Sequence, residues 1–568
     1  MRAFDRHLWL RFWAIATPYW RGDEKWKAWG LLFLLIFLLL GQAQVAVLLN
    51  EQTGEFTSAL AAHQEDRFWD AIRYCLGLLV VAVPLYAFYY FTRDKLGILW
   101  RRWLTNRFLE RYFAQRHYYE LNANTAIDNP DQRIAEDINT FCQRSLYYLF
   151  ILIGSVIQLV AFSAVLWSIS RMLVYFLVFY AIFGTIVTLA VFGKPLLGLN
   201  FLQLRREADF RFGMVRIREN AEPIAFYRGE VRESQQVSQR FATAFDNYNQ
   251  LIRRQLFLNF FQYTYSMLTI VLPSAIIAAD VLSGDLEVGK AVQAGGAFAA
   301  VLTAISVVIE NFEGLSRLAA GVDRLNTFSR VLAVSPGHRL GRGDMIESIE
   351  GPQLALEHLT LLTPGGERML VRDLSLAIES GEGLVIAGES GTGKSSLLRA
   401  IAGLWYRGGG RIVRPPVGEL MFLPQQPYMI LGTLRNQLLY PNMDREVADA
   451  DLLCLLERVR LPDLAERLGG LDAEQDWEKV LSIGEQQRLA LARVLLAKPR
   501  YAILDEATSA LDSVNEASIY RELTQAGTTL ISVSHHDAIL KFHKQVLELI
   551  GDGEWRLRTV ERETSRGP

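Results

Sequence analysis

Residues 388–396 read G-E-S-G-T-G-K-S-S and fit the phosphate-binding pattern G-x-x-x-x-G-K-[ST] at every fixed position. An apolar run at 384–387 comes before them and a helical pattern at 395–402 after, so strand, glycine-rich loop and helix are predicted in that order. Gly388, Gly391 and Gly393 let the backbone N–H groups of the loop, from Glu389 and Ser390 through Thr392 to Ser396, turn inward around an anion. The helix N-terminus adds its partial positive charge. Lys394 is placed to reach terminal phosphates and the Ser395 hydroxyl to lie on Mg²⁺. A second element, Y-A-I-L-D-E at 501–506, is an apolar strand ending in two carboxylates. Asp505 is placed to hold Mg²⁺ through water, opposite Ser395. Glu506 reaches one residue further and can polarise an attacking water as general base. Two acids in that place also serve as a helix N-cap pair, but the phosphate loop favours metal and base.

These groups need a scaffold, and the chain supplies two halves. With 568 residues it is too long for one domain, and 51% hydrophobic residues with 11% aromatics is high for a soluble enzyme. A net charge of −2 gives no general attraction to polyanions, so no nucleic-acid partner is expected. Cys75, Cys142 and Cys454 are scattered, which argues against a disulfide framework or a zinc site. Six apolar runs, 28–49, 72–91, 146–169, 172–197, 258–282 and 291–308, each approach or exceed the length of a bilayer span. The segment 50–71 is acidic, whereas 93–145 and 198–257 are long and arginine-rich. The positive-inside rule then puts both long segments, both termini and the nucleotide-binding half in the cytoplasm. The expected fold is a six-span helical membrane bundle fused to an α/β P-loop domain with a mostly parallel sheet. The expected partition is an amphipathic arm at 1–27 without a removable signal peptide, spans and their extensions at 28–333, a linker at 334–352, the nucleotide-binding domain at 353–558 and a tail at 559–568.

Both arginine-rich segments read as helices prolonging the spans, at 100–119 and 200–219. Each tip carries a compact polar stretch with a proline. One runs from Asp128 through Asn129, Pro130, Asp131, Gln132 and Arg133 to Ile134, and the other, which holds Glu222 and Tyr227, runs from Glu219 to Gly229. Each reads as a short helix docking on the soluble half, with an ordinary surface turn as the alternative. Gln42, Gln44, Gln158 and Gln262 lie within spans, where they would line a polar cavity or bond helix to helix.

The stretch L-S-I-G-E-Q-Q-R at 481–488 resembles the signature of ATP-binding-cassette (ABC) proteins, usually L-S-G-G-Q. Gln425 is similar to the family's Q-loop glutamine, 509–512 to its D-loop and His535 to its switch histidine. The resemblance implies two cassettes clamping two ATP molecules, each γ-phosphate held by one copy's phosphate loop and by Ser482 and Gly484 of the other. Glu485 stands in the same phosphate-facing motif where glutamine is usual, and Ile483 where glycine is usual. Glu506, His535 and Gln425 take catalytic roles, and Gln425 joins Ser395 and Asp505 around Mg²⁺. The intact set favours a homodimer, with the tips carrying closure to the spans. The family's adenine-stacking aromatic has no counterpart at 361–364, which leaves Arg368 as a cation–π candidate. D-N-P-D-Q-R-I, W-R-R-W-L-T, E-A-D-F-R-F, A-E-P-I-A-F-Y-R-G and the pair Asp476-Trp477 resemble one branch. That branch holds the peroxisomal fatty-acyl half-transporters and the bacterial SbmA/BacA-like group. It implies a bacterial inner-membrane transporter, set in membrane lipid, for a peptide, a cobalamin-like hydrophilic molecule or a fatty-acyl compound. An ATP-gated channel or a regulatory membrane ATPase is the alternative.

Overall fold

The computed structural model describes residues 6–123, 129–333, 345–534 and 536–560. Asp128, His535, most of the expected linker and the tail from 561 lie outside the described residues. The chain divides into two compact units, Met1–Val334 and Ser335–Pro568.

The first unit is helical: α1 (Arg6–Arg21), α2 (Lys25–Ala61), α3 (Glu65–Phe113), α4 (Ile138–Ile169), α5 (Arg171–Val187), α6 (Lys194–Glu219), α7 (Glu230–Ile276), α8 (Val288–Glu310) and α9 (Phe312–Val331). Among the described residues five helical stretches are long and apolar enough to cross a membrane. They contain the first three expected spans and most of the fourth and the sixth. The fifth does not qualify by length and composition. Its stretch of α7 carries Asn259, Gln262, Tyr263, Thr264, Tyr265 and Ser266, and the helix ends before Ile277 (φ −98°, ψ 6°), short of the expected limit at 282. Tyr265 instead stacks on Tyr180 of α5 with centroids 4.2 Å apart, and each phenol donates to the other's backbone carbonyl at 2.7 Å. Gly184 makes room, since a Cβ there would lie 2.4 Å from the Tyr265 ring.

Helices α2 and α8 cross at Gly54 and Gly289, so closely that the Ser58 hydroxyl accepts from the Gly289 N–H at 3.0 Å. Small residues permit such an approach where helices pack without a hydrophobic drive. Arg67, the one basic residue in the acidic segment 50–71, pairs with Glu55 at 2.6 Å and Glu287 at 2.9 Å. It ties three chain segments together at that end of the bundle.

Helix α3 breaks at Gln115 (φ 51°) and resumes at His117–Ala123. The tips form the short helices Pro130–Gln132, with proline in its first turn, and Ala221–Tyr227. Arg133 is buried and donates to the Arg324 carbonyl at 2.9 Å. It braces its own unit, while Asn129, Asp131, Gln132, Glu222 and Tyr227 are exposed.

The second unit is α/β, but its strands form two sheets rather than one. Strands β1 (Glu347–Glu350), β2 (Leu354–Leu362), β3 (Met369–Ile378), β4 (Leu384–Gly388), β5 (Gly408–Arg414), β6 (Leu420–Leu423), β7 (Tyr501–Asp505), β8 (Thr529–Val533), β9 (Gln545–Gly551) and β10 (Glu554–Thr559) occur in that order along the chain. One sheet runs β10-β9-β4-β8-β7-β6, parallel except for the β10 edge. The other runs β1-β5-β2-β3 and pairs β2 antiparallel to both neighbours. Strands β4 and β7 read as near-continuous apolar runs, as doubly covered parallel strands do, and β8 is buried along its whole length. Three helices carry site residues: α10 (Lys394–Ile401), α11 (Ile483–Ala497) and α12 (Ser513–Gln525).

Candidate nucleotide site

The phosphate loop leaves β4 and enters α10. Gly388, Gly391 and Gly393 have φ of 144°, 84° and 104°, the region that glycine takes without penalty. At Gly388 space also decides, because a Cβ would lie 2.4 Å from the Leu549 carbonyl of β9. Thr392 closes the loop by donating its hydroxyl to the Glu389 carbonyl at 2.9 Å. The buried Lys394 ammonium donates to the carbonyls of Gly388 at 2.6 Å and Glu389 at 3.0 Å. The loop is therefore shaped by its own lysine, with the backbone donors left for an anion.

Asp505 ends β7, where its carboxylate bonds to Ser395. Burial, then the charge of Glu506, pushes its pKa up, against the pull of Ser395, Arg399 and Lys394. A carboxylate on a serine hydroxyl, with a second carboxylate next to it in the chain, forms an oxygen donor set that suits a hard divalent cation. Among the described residues no cluster of three or more His, Cys, Asp or Glu forms a metal site. A donor set this small suits a cation that also takes phosphate oxygens. Glu506 adopts a left-handed conformation (φ 48°), its N–H donating to the Val533 carbonyl at 3.1 Å. Gln425 Nε2 donates to Glu506 Oε2 at 2.7 Å. Ser395, Asp505, Glu506 and Gln425 are thus linked by adjacent contacts.

Ser482 caps α11. Its hydroxyl accepts from the Glu485 N–H, while Glu485 Oε2 accepts from the Ser482 N–H at 2.9 Å. This is a reciprocal capping box of the S-x-x-E kind. The other Glu485 oxygen accepts from Arg467 at 2.6 Å, so this carboxylate is engaged within its own chain. Ser482 and Ile483 are exposed. Among the described residues no hydrogen bond joins 482–484 to the phosphate loop. Gly484 lies close to the Ala510 carbonyl, which a Cβ would approach to 3.2 Å.

Two residues outside the sequence expectation organise this region. The buried Gln487 of α11 donates to the Gln425 carbonyl and the Ser509 hydroxyl, each at 3.3 Å, and accepts from the Ala510 N–H at 3.0 Å. It thereby joins the signature helix, the Q-loop and the D-loop. The buried Glu516 of α12 accepts from Thr508 at 2.6 Å and lies 3.0 Å from His536 Nδ1. His536, which has no role in the sequence reading, thus ties the end of β8 to the D-loop helix. Arg368 lies at the β2–β3 turn, where its carbonyl accepts from the Thr363 N–H at 2.9 Å, its N–H donates to the Thr363 hydroxyl at 3.1 Å, and its side chain reaches Asp552 at 3.7 Å.

Strand β8 is fixed just before the switch position. His543 Nδ1 faces the Ile539 carbonyl at 2.9 Å and its Nε2 faces the Ser532 hydroxyl at 3.0 Å. A neutral ring, donating through Nδ1 and accepting through Nε2, satisfies both. Burial pushes the His543 pKa down to about 4. An unfolded chain takes up this proton below an ordinary pKa of about 6.5, while the folded chain resists until about 4. Stability from neutral His543 is therefore complete above the unfolded value and is lost as pH falls towards 4, by about 3 kcal/mol in all. Comparing unfolding of the wild type and His543→Gln at pH 7.5 and pH 5 tests this. The variant is expected to lose stability less steeply on acidification, and equal slopes would contradict the assignment.

Fold and site together define a P-loop ATPase unit fused to a helical membrane unit. Residues 17–282 match the family model "ABC transporter transmembrane region 2" and residues 371–509 the model "ABC transporter". An uncharacterized ABC transporter ATP-binding protein of Synechocystis is 47% identical, over 95% of this chain and 83% of its own. The lysosomal cobalamin transporter of Homo sapiens is 35% identical over 86% of each chain. An inner membrane ABC transporter ATP-binding protein of Escherichia coli is 29% identical, over 96% of this chain and 98% of its own. The chain belongs to the ABC transporter family, in which ATP hydrolysis is coupled to transport.

Proposed function

We propose that this chain is half of an ATP-driven transporter and works as a homodimer in a bacterial inner membrane. The observation that carries the dimer is the start of α11. Ser482 and Ile483 are exposed on a capped helix N-terminus that makes no bond to the chain's own phosphate loop. A second copy brings Ser482 and the Gly484 N–H to the γ-phosphate, with Glu485 holding the cap in shape. Residues 388–396 cradle the phosphates, and Lys394 exchanges loop carbonyls for phosphate oxygens. Ser395, Asp505 and Gln425 hold Mg²⁺, which when bound would neutralise charge on the phosphate oxygens. Glu506 takes the proton of the attacking water, oriented by Gln425 and by His535.

The exposed tip residues, Asn129, Asp131 and Gln132 on one side and Glu222 and Tyr227 on the other, carry cassette closure to the spans, together with the neighbouring Asp128 and Pro130. Arg133 keeps the first tip rigid through Arg324. Helix α7 completes six spans through its bond to α5, which keeps both termini and the ATPase unit in the cytoplasm. The inner-membrane placement is supported by the name of the Escherichia coli relative. The cobalamin transporter among the relatives makes a cobalamin-like hydrophilic molecule the first substrate to test, ahead of a peptide or a fatty-acyl compound. Proteoliposomes holding the full chain are expected to accumulate or expel one of these only with ATP and Mg²⁺. Ion conductance without ATP-dependent solute movement would overturn the transporter reading in favour of a channel.

A further inference from the structure

A cavity of about 940 Å³ lies within the first unit, between α1 and the helices α2, α3, α4, α8 and α9. Its size is near the upper end for small-molecule sites, and its wall is almost wholly apolar. The wall is braced. Tyr19 of α1 stacks on Trp100 of α3 with centroids 5.8 Å apart, Phe12 meets Phe141 at 5.4 Å, and Arg11 pairs with Asp323 of α9 at 2.6 Å.

Two polar side chains in this apolar lining have no hydrogen-bond partner. Trp100 is 2% exposed and Ser145 8% exposed, and Trp100 Nε1 and Ser145 Oγ are both unpaired. An indole N–H and a hydroxyl buried without partners, on two residues that line one cavity, are costly, and an acceptor from a ligand would satisfy both. The rim has a different character. Trp9 and Trp13 are 53% and 54% exposed, and Arg21 also lines the opening. Tryptophans and arginine on an amphipathic helix belong at the water–bilayer boundary, the depth of lipid ester groups and phosphates.

We infer that this cavity holds a resident glycerophospholipid, with acyl chain against the apolar wall, ester carbonyl on Trp100 and Ser145, and phosphate at Arg21. A helix of a second copy fits less well, because its backbone carbonyls are already bonded along its own axis and leave both donors unpaired. The lipid is a fixed part of the fold that seats α1 on the bundle, independent of what the spans move.

The test uses the full chain in nanodiscs containing phosphatidylglycerol with a diazirine in one acyl chain. Photolabelling is expected to concentrate on peptides of α1 and of α4 around 145–152. The double variant Trp100→Phe, Ser145→Ala keeps an aromatic ring at 100 and the backbone but removes the indole N–H and the hydroxyl. It is expected to lose at least fivefold of that label while its ATPase rate stays within twofold of wild type. A single variant, Leu149→Trp, fills the cavity and is expected to lose the label as well. Label elsewhere, or label unchanged in both variants, overturns the inference. Displacement of the label by excess cobalamin or acyl-CoA overturns it too, by making the cavity part of the transport path. So does cross-linking between copies through a Trp13→Cys variant, which would show a second copy seated there.

Discussion

Replacing Glu506 by glutamine is expected to lower ATP hydrolysis at least a hundredfold and leave ATP binding intact. The substitution keeps the side-chain shape at a backbone position (φ 48°) that is anchored by the Val533 carbonyl. The amide oxygen still accepts from Gln425, which donates to the carboxylate at 2.7 Å in the wild type. What is lost is the ability to take a proton from water, an effect of about 10²–10⁴ for a positioned general base. The phosphate cradle is untouched, since Lys394 and the loop glycines owe nothing to Glu506. Steady-state ATPase activity and nucleotide binding, measured on one reconstituted preparation, separate the two effects. Activity within twofold of wild type would remove Glu506 from the base role, and lost binding would make it a structural residue.

The parts of this site written in contiguous residues were legible before the fold was known. Residues 388–396 form a loop whose geometry is set by three glycines and a following helix, all within nine positions. The pair Asp505 and Glu506 was likewise announced by its strand. Gln487 was not, because a glutamine inside a helix has no local signature. Its partners lie 62 and 22–23 residues away in sequence and meet it only once α11 has packed. His536 and Glu516 were hidden for the same reason, on a strand end and a helix 20 residues apart. The second sheet was missed because alternation shows that a strand is half-buried, not which strand it will pair with. In the membrane unit, apolar runs gave five qualifying stretches where they were dense. The fifth expected span is not among them, because its stretch of α7 carries several polar side chains, of which Tyr265 bonds to Tyr180.

A mixed dimer provides the sharper test of how the site is completed. Lys394→Ala removes the ammonium that shapes the phosphate loop, and Ser482→Arg puts a bulky cation at the exposed cap of α11. Either change in both copies of a homodimer damages both sites, and each is expected to cost about a hundredfold or more in ATPase activity, as losing a transition-state donor does. If each site takes its loop from one copy and its signature from the other, the mixed pair gathers both defects into one site. The second site is then built from an intact loop and an intact signature. Such a dimer, isolated with two different affinity tags, is expected to hydrolyse ATP at least tenfold faster than either doubly mutant homodimer. If each chain completed its own site, every site in the mixed pair would carry one defect, and activity would stay at the homodimer level. That result would overturn the shared site. The capping box predicts a further distinction, because Ser482→Asp keeps the cap and brings a negative charge to the phosphate. Loss of activity in that variant with unchanged thermal stability would place the role of Ser482 across the interface rather than in its own helix.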